Sequence, residues 1–186
     1  MIAVAGTAHR SFVFPAELPT AFAYYSDLER VLTYLPHICV VQAYHYNQFR
    51  MLYSTTELGV YHIRIFCDLQ ARLDEKERTL SIIPLNGVPP ARTTAGAKSA
   101  TTHGFFSSTS VFYADGAETT IEYSLQLQAD LPRPGGVRFM PRSAVNRIAH
   151  GITQRRIGEI AAGFIERSID AFPFWLAEMQ QKGFPA

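Results

Sequence analysis

The sequence contains few of the residues from which metal sites and disulfide frameworks are built. Only two of its 186 residues are cysteines, Cys39 and Cys67, and neither belongs to a CxxC pair or to a His/Cys cluster with zinc-ligand spacing. The six histidines are spread along the chain, and no two of them lie four residues apart. We therefore expect two buried, reduced thiols, no metal and no cofactor.

Motifs that define several large enzyme classes are also missing. The chain has no GxSxG, HExxH or GxGxxG pattern, no phosphate-binding Gly-Lys-Ser/Thr loop and no EF-hand spacing. These absences argue against the hydrolases, metalloproteases, dinucleotide-binding enzymes and calcium sensors that depend on them. No catalytic residue is predicted from the sequence, which leaves enzymatic activity open but favours a protein that only binds.

Charge is scarce and nearly balanced. Lysine occurs three times against fourteen arginines, and the formal net charge is +1. The basic residues are scattered along the chain, which argues against nucleic acid as a partner. Polar residues interrupt the apolar ones too often for an integral membrane segment. Residues 1–6 lack the basic start of a signal peptide, and we therefore expect a cytoplasmic protein.

What the sequence does contain is the pattern of a single α+β domain over residues 1–186. Two short helices are predicted between Pro19 and Pro36, and a long helix is predicted over about 143–172, ended or kinked by Pro173. The segment 86–102, rich in Pro, Ala and Thr, is predicted to be a flexible loop that is either disordered or a lid. The predicted strands cover residues 9–14, 38–46, 49–57, 60–73, 79–85, 104–114 and 118–131.

The hairpin between the third and fourth predicted strands determines which side chains meet across the sheet. If residues 57–59 form a three-residue loop, Ile63 lies opposite Tyr53 and Ile65 opposite Met51, so that apolar residues face each other. A two-residue loop gives poorer pairs. The sequence therefore favours the three-residue loop.

The last hairpin, around Asp115 and Gly116, leaves two registers open. A two-residue turn directs Phe112 toward the interior of the sheet, whereas a three-residue loop directs Tyr113 there. Both strand patterns are acceptable, and the inward face of residues 104–114 therefore stays undecided from the sequence.

The order of these elements and several short motifs resemble one known superfamily. The motifs are Leu18-Pro19, Tyr24-Tyr25, Tyr34-Leu35-Pro36, Leu131-Pro132, Pro141, Arg155-Arg156, Ile169-Asp170 and Phe174-Trp175. They resemble the START-like (SRPBCC) superfamily of polyketide cyclases, lipid-transfer proteins and Bet v 1-like proteins, and more narrowly an uncharacterised bacterial and plastid family within it. The resemblance implies a helix-grip fold, in which a curved antiparallel sheet of six or seven strands wraps around a long C-terminal helix. It also implies an apolar ligand between sheet and helix.

Tyrosines at inward-facing strand positions mark the predicted site. They either fill the core or act as polar groups that orient a ligand in an apolar cleft. On the long helix, Arg155 and Glu159 can form a surface ion pair, and Arg156 either shares that wet face or reaches the cleft. The predicted ligand-binding residues are Met51, Tyr53, Tyr61, Ile63, Ile65, Tyr113, Ile121, Tyr123, Leu125, Ile152, Arg156 and Phe164.

The sequence favours non-catalytic binding of a lipid-like or polyketide-like hydrophobic small molecule. A second hypothesis is an aromatase/cyclase-like enzyme, in which Tyr53, Tyr123 or Arg156 orients the carbonyls of a poly-ketone. A third is a protein-interaction or dimerisation module, in which the wet face of the sheet or the terminal aromatic segment docks either a partner or a second copy of the chain to form a homodimer. Its candidate contact residues are Phe172, Phe174, Trp175 and Phe184.

Overall fold

A computed structural model describes residues 1–57, 60–133 and 139–182. Over these residues the predicted α+β architecture is confirmed: a curved sheet, two short helices after the first strand and a long C-terminal helix. In chain order the elements are β1 (Ile2–Phe14), α1 (Leu18–Ser26), α2 (Leu28–Val31) followed by a 3-10 turn (Leu32–Tyr34), β2 (Ile38–His45), β3 (Gln48–Glu57), β4 (Tyr61–Asp74), β5 (Thr79–Pro84), β6 (Thr94–Ala95), β7 (Ser99–Asp115), β8 (Glu118–Leu131) and α3 (Arg142–Gln181). None of the described helices combines the length and apolar character needed to cross a membrane.

The main strands form one sheet in the order β1-β8-β7-β5-β4-β3-β2, with the two-residue β6 paired to β7. β7 pairs with two partners on the same side. Its first residues run parallel to β4, with Ser99 opposite His62, and its later residues run antiparallel to β5, with Thr109 opposite Ser81. The prediction of an antiparallel sheet therefore holds for the described strand pairs except β4 with β7.

Two predicted boundaries are wrong. β1 begins at Ile2 rather than at residue 9, because its whole length pairs with β8, from Ile2 opposite Leu131 to Phe14 opposite Thr119. The predicted loop 86–102 is shorter than expected, since residues 99–102 belong to β7. These residues are small and hydroxylated, and they lack the large apolar side chains that reveal a strand in a sequence.

The β3–β4 hairpin has a register two residues away from the predicted one. Tyr53 lies opposite Ile65, and Met51 lies opposite Cys67. A shift of two residues keeps every side chain on its face of the sheet, so the predicted inward faces are right although the predicted partners are wrong. Residues 58–59 of the predicted loop lie outside the described residues.

The β7–β8 hairpin has a two-residue turn at Gly116 and Ala117, one residue later than the Asp115-Gly116 turn that the sequence offered, and it directs the same side chains inward as that turn would. Asp115 pairs with Glu118, and the turn begins at Gly116, whose φ of +64° lies in the left-handed region that glycine tolerates best. Phe112 is therefore buried, at 2% exposure, whereas Tyr113 is 52% exposed on the outer face. The side chain of Tyr113, which was predicted to bind the ligand, therefore points away from the interior of the sheet.

α3 extends beyond the predicted stretch of about 143–172 and continues to Gln181, so Pro173 does not end it. Pro173 lies inside the helix and removes one backbone donor. Its neighbours Phe172 and Trp175 are both buried, with ring centroids 6.0 Å apart, and both rings contact Tyr24. This aromatic packing stabilises the helix beyond the proline.

The C-terminal half of α3 is also fastened to α1 by hydrogen bonds. The Tyr24 hydroxyl donates to the Ser168 carbonyl oxygen at 2.7 Å, and the Tyr25 hydroxyl lies 2.8 Å from Ser168 Oγ. Burial raises the pKa of both phenols. These buried tyrosines are therefore neutral hydrogen-bonding groups that hold this end of the helix in place.

The middle of α3 lies against β1 at Gly6. A methyl group on Gly6 would stand 2.8 Å from Ile157 Cγ1 and 3.3 Å from the Thr153 carbonyl oxygen. In α3 itself, a methyl group on Gly151 would meet nothing within 4 Å. The close approach of helix and sheet therefore depends on the glycine in the strand.

The two glycines should respond in opposite ways to the same substitution. We expect Gly6→Ala to lower the free energy of unfolding by about 1–2 kcal/mol, because the added methyl group overpacks the contact with α3. Gly151→Ala should raise it by up to about 1 kcal/mol, because alanine favours the helix and has open space. Urea unfolding of both variants tests this, and an unchanged or more stable Gly6→Ala protein would contradict the close contact.

Candidate functional site

A cavity of about 360 Å³ lies between the sheet and the N-terminal end of α3. Its wall includes Val4 on β1 and Ile63 on β4, and across from them Val145, Ala149 and Ile152 on α3. The cavity is open to solvent at one side, and its volume lies within the range of small-molecule pockets. It is the candidate functional site.

The interior farther along the helix is packed. The gap beside Tyr53, Ile65 and Arg156 has a volume of about 30 Å³, and the gap beside Met51 has about 20 Å³. Spaces of this size hold a water molecule or two but no organic ligand. The room for a ligand therefore lies at one end of α3 and not along its length.

The predicted ligand-binding residues divide into groups in the structure. Three of them line the cavity, namely Tyr61, Ile63 and Ile152. Those beside the small gaps next to it are Met51, Tyr53, Ile65 and Arg156. Those away from the cavity are Ile121, Tyr123, Leu125 and Phe164 in the packed core, and Tyr113 on the outer face.

Sequence reasoning missed several cavity residues. Val145 and Ala149 lie seven and three residues before Ile152, which places all three on one face of the helix. That spacing could have identified them. Ile148 and Ile157 also belong to the apolar residues of α3, but Ile148 is 48% exposed and Ile157 is 1% exposed. The difference arises because α3 moves away from the sheet toward the N-terminal end of the helix.

An ion pair joins Glu57, which lines the cavity, to Arg156 in the small gap beside it. Arg156 Nε donates to Glu57 Oε1 at 2.8 Å, and its Nη1 donates to Glu159 Oε2 at 2.7 Å. Two hydrogen bonds raise the pKa of Arg156: the bond to Glu57 has the larger effect, and the bond to Glu159 the next largest. Arg155 forms the expected surface pair with Glu159 at 2.8 Å, while Arg156 reaches the buried Glu57. The pair leaves the wall without an uncompensated charge at this point.

Tyr61 is one of the few polar residues that line this mainly apolar space. Its hydroxyl oxygen is buried and has no hydrogen-bond partner within the described part of the chain. Burial raises the pKa of Tyr61, so the phenol is neutral and can donate or accept a hydrogen bond. Lys98 lies at the rim, where it is exposed. The cavity is therefore lined mainly by apolar side chains, and the unpaired hydroxyl belongs to one of its lining residues.

A second polar cluster lies on the outer face of the sheet, away from the cavity. Asp68 accepts hydrogen bonds from Arg50 Nε and from the Tyr44 hydroxyl, both at 2.7 Å, and His103 Nδ1 lies 3.7 Å from its other oxygen. Arg50 also donates to the Pro89 carbonyl oxygen at 2.7 Å, which holds the segment after β5 against the sheet. Across the described ranges, no group of three or more candidate metal ligands comes together.

The two cysteines differ in their surroundings. Cys67 is buried as predicted, and burial raises the pKa of its thiol to about 12. Cys39 is exposed, contrary to the prediction, because it lies on β2, the edge strand of the sheet. Both are free thiols.

Comparison with known proteins identifies the fold. No family model matches the sequence, and the search of curated proteins found no match. A protein of Thermus thermophilus is 18% identical over 90% of this chain and 98% of its own, with a TM-score of 0.53. The chain has the START-like helix-grip fold. The Zhui aromatase/cyclase from a Streptomyces species shares the fold, with 9% identity over 91% of this chain and 94% of its own and a TM-score of 0.54. Human STARD10 shares it as well, with 11% identity over 95% of this chain and 68% of its own and a TM-score of 0.50.

Within this helix-grip fold, the groups of the cyclase hypothesis do not meet in the cavity. Tyr53 and Arg156 border the same small gap, but Tyr123 lies in the core with its ring 4.9 Å from that of Phe164. Burial raises the pKa of Tyr123, which makes its phenol a poor proton donor. The three groups therefore share no space that is large enough for a poly-ketone.

The aromatic residues of the interaction hypothesis are divided as well. Phe172 and Trp175 are buried in their own chain, and Phe174 is 73% exposed. Phe184 lies outside the described residues. Dimerisation through this segment stays a prediction, and Phe174 is its remaining exposed candidate among residues 139–182.

Neighbouring arginines on α3 provide a matched test of the ion pair. Arg156→Gln should lower the free energy of unfolding by roughly 2–4 kcal/mol, because it leaves the buried Glu57 carboxylate without its partner. Arg155→Gln removes only a surface pair and should cost about 0–1 kcal/mol. The double variant Glu57→Gln/Arg156→Gln should regain much of the loss. Equal stabilities of the two single variants in urea unfolding would contradict this role of Arg156.

The polar cluster of Asp68, Arg50, Tyr44 and His103 on the outer face of the sheet predicts that the stability of the protein depends on pH. Burial lowers the pKa of His103 below its ordinary value of 6.5, so the unfolded chain binds this proton more readily than the folded one. The contribution of neutral His103 is therefore present above pH 6.5 and is lost as the pH falls toward its folded-state pKa. Burial alone raises the pKa of Asp68, but the hydrogen bonds from Arg50 and Tyr44 outweigh it and hold that pKa below 3.8.

We expect His103→Gln to flatten the curve of unfolding free energy against pH between about pH 5 and 6.5, where Asp68 does not yet titrate. Urea unfolding at a series of pH values measures this slope. An unchanged slope in the variant would show that His103 is not held neutral by burial.

Proposed function

We propose that the protein binds a mainly apolar small molecule in the cavity at the N-terminal end of α3 and does not change it chemically. The observation that supports this most directly is the cavity of about 360 Å³ with its apolar wall and its one unpaired hydroxyl, Tyr61. Apolar surface in contact with water costs roughly 25 cal/mol per Å². A ligand that displaces water from this wall is therefore stabilised without any catalytic group.

The walls also indicate the chemistry of the ligand. Val4, Ile63, Val145 and Ile152 offer only apolar contacts, which suits an alkyl chain or a fused ring system. Tyr61 offers one hydrogen bond to a ligand oxygen. A lipid-like or polyketide-like molecule with few polar groups fits these two requirements.

The arrangement of charges supports binding over catalysis. General acid–base chemistry requires a group that can exchange a proton near neutral pH at the reacting atom. Glu57 and Arg156 are bound to each other, and burial raises the pKa of Tyr61 away from neutrality. The described cavity wall thus offers groups that orient a ligand more readily than groups that transform it.

Filling the cavity should weaken ligand binding. Ala149→Trp places an indole in the space, and we expect it to weaken binding of the fluorescent probe anilinonaphthalene sulfonate at least about tenfold, since a well-placed apolar group contributes about 1.5–3 kcal/mol. Ala162→Trp, on an exposed position of the same helix, is the matched control and should bind the probe like the unaltered protein. Equal probe binding by Ala149→Trp, with folding confirmed by circular dichroism, would reject the cavity as the site.

The hydroxyl of Tyr61 should matter only for ligands that carry oxygen. Tyr61→Phe should weaken displacement of the probe by decanol roughly fivefold, the equivalent of one hydrogen bond of about 1 kcal/mol, and should leave displacement by decane unchanged. Displacement titrations with the two compounds measure the difference. If both weaken equally, Tyr61 acts only through packing.

A further inference from the structure

The mouth of the cavity is surrounded by exposed apolar side chains. Phe139 is 98% exposed, directly before Met140, which lines the cavity. Val60 and Ile148 also line it and are 57% and 48% exposed. These four residues form what we call the mouth collar. A fully exposed phenylalanine beside further apolar residues is typical of a surface that contacts a partner or a membrane.

The chain around the mouth collar is basic, although basic residues are scattered over the sequence as a whole. Residues 131–158 contain six arginines and no aspartate or glutamate. Arg142 and Arg147 are exposed, and neither pairs with a carboxylate within residues 1–57, 60–133 and 139–182. Lys98 adds a third exposed cation at the rim. The rim of the mouth thus carries three exposed cations, while the carboxylate of Glu57 in the wall is paired with Arg156.

We propose that the mouth collar docks on the surface of an anionic lipid bilayer, with Phe139 inserted among the headgroups and Arg142 and Arg147 paired with lipid phosphates. An apolar tip flanked by unpaired cations is the combination that interfacial membrane binding requires. A second copy of the chain is a poor occupant, because two such basic faces repel each other. Docking in this way turns the mouth of the cavity toward the bilayer, and it does not depend on whether the cavity holds a ligand.

The experiment is vesicle co-sedimentation with the full chain. Vesicles of phosphatidylcholine with phosphatidylglycerol should bind the protein at low salt, and vesicles of phosphatidylcholine alone should bind it far less. Phe139→Ala should weaken binding to the anionic vesicles about tenfold, since it removes the inserted ring. Phe174→Ala is the matched control, because Phe174 is also exposed but lies about 40 Å farther along α3 than Val145. It should bind like the unaltered protein.

The charge contribution is tested separately. Arg142→Gln/Arg147→Gln should weaken binding to anionic vesicles at least about tenfold, because two cations that attract the anionic surface are lost, and added salt should have the same effect. Binding of anilinonaphthalene sulfonate by these variants reports separately on the cavity. Absence of binding to anionic vesicles at low salt, equal losses in Phe139→Ala and Phe174→Ala, or binding only to an acidic protein would each overturn the proposal.

Discussion

The contact between α3 and β1 at Gly6 is the constraint on which the rest of the structure depends. Without a side chain at this position, Ile157 and Thr153 rest directly on the strand. Beyond this point the C-terminal half of the helix is fastened by aromatic packing and by the hydrogen bonds of Tyr24 and Tyr25 to Ser168. The helix is therefore fixed at its middle and at one end. Only its N-terminal end stands away from the sheet, and the cavity is the space left there.

The pairing of Arg156 with Glu57 separates this space from the packed interior. A carboxylate at the inner end of an apolar cavity would be costly if it were left alone, and water would have to accompany it. The Arg156 guanidinium neutralises the Glu57 carboxylate, so no water is required beside it, and the arginine side chain also fills part of the space. The cavity consequently has an inner limit set by a charged pair, while its outer limit is set by apolar side chains.

Much of the fold could be predicted because a register error of two residues leaves every side chain on the same face of its strand. A slip of two residues in the β3–β4 hairpin changed the partners of Tyr53 and Met51 but left both on the inward face. In β7, a two-residue turn and a three-residue loop direct opposite sets of side chains inward, and the strand pattern did not distinguish them. The turn geometry at Gly116 determines that Tyr113 points outward.

The candidate site was less predictable because it depends on contacts between distant segments. Ile148, Ile152 and Ile157 look alike in the sequence, yet they lie at the mouth, on the cavity wall and in the core. What separates them is the distance between helix and sheet, which Gly6 sets from more than a hundred residues away. The continuation of α3 past Pro173 has a similar origin, since its support comes from rings on other elements.

The pairing of β1 with β8 has a consequence for biosynthesis. About 100 residues separate the end of β1 at Phe14 from the start of β8 at Glu118, and β8 is the sheet partner of β1 along its whole length. At translation rates of roughly 5–20 residues per second, β1 leaves the ribosome about 5–20 s before that partner exists. During this interval its backbone has no sheet to join, and its apolar face has no helix to cover it. The sheet is therefore completed only after β8 has been synthesised, and until then β1 is exposed to chaperones without its sheet partner.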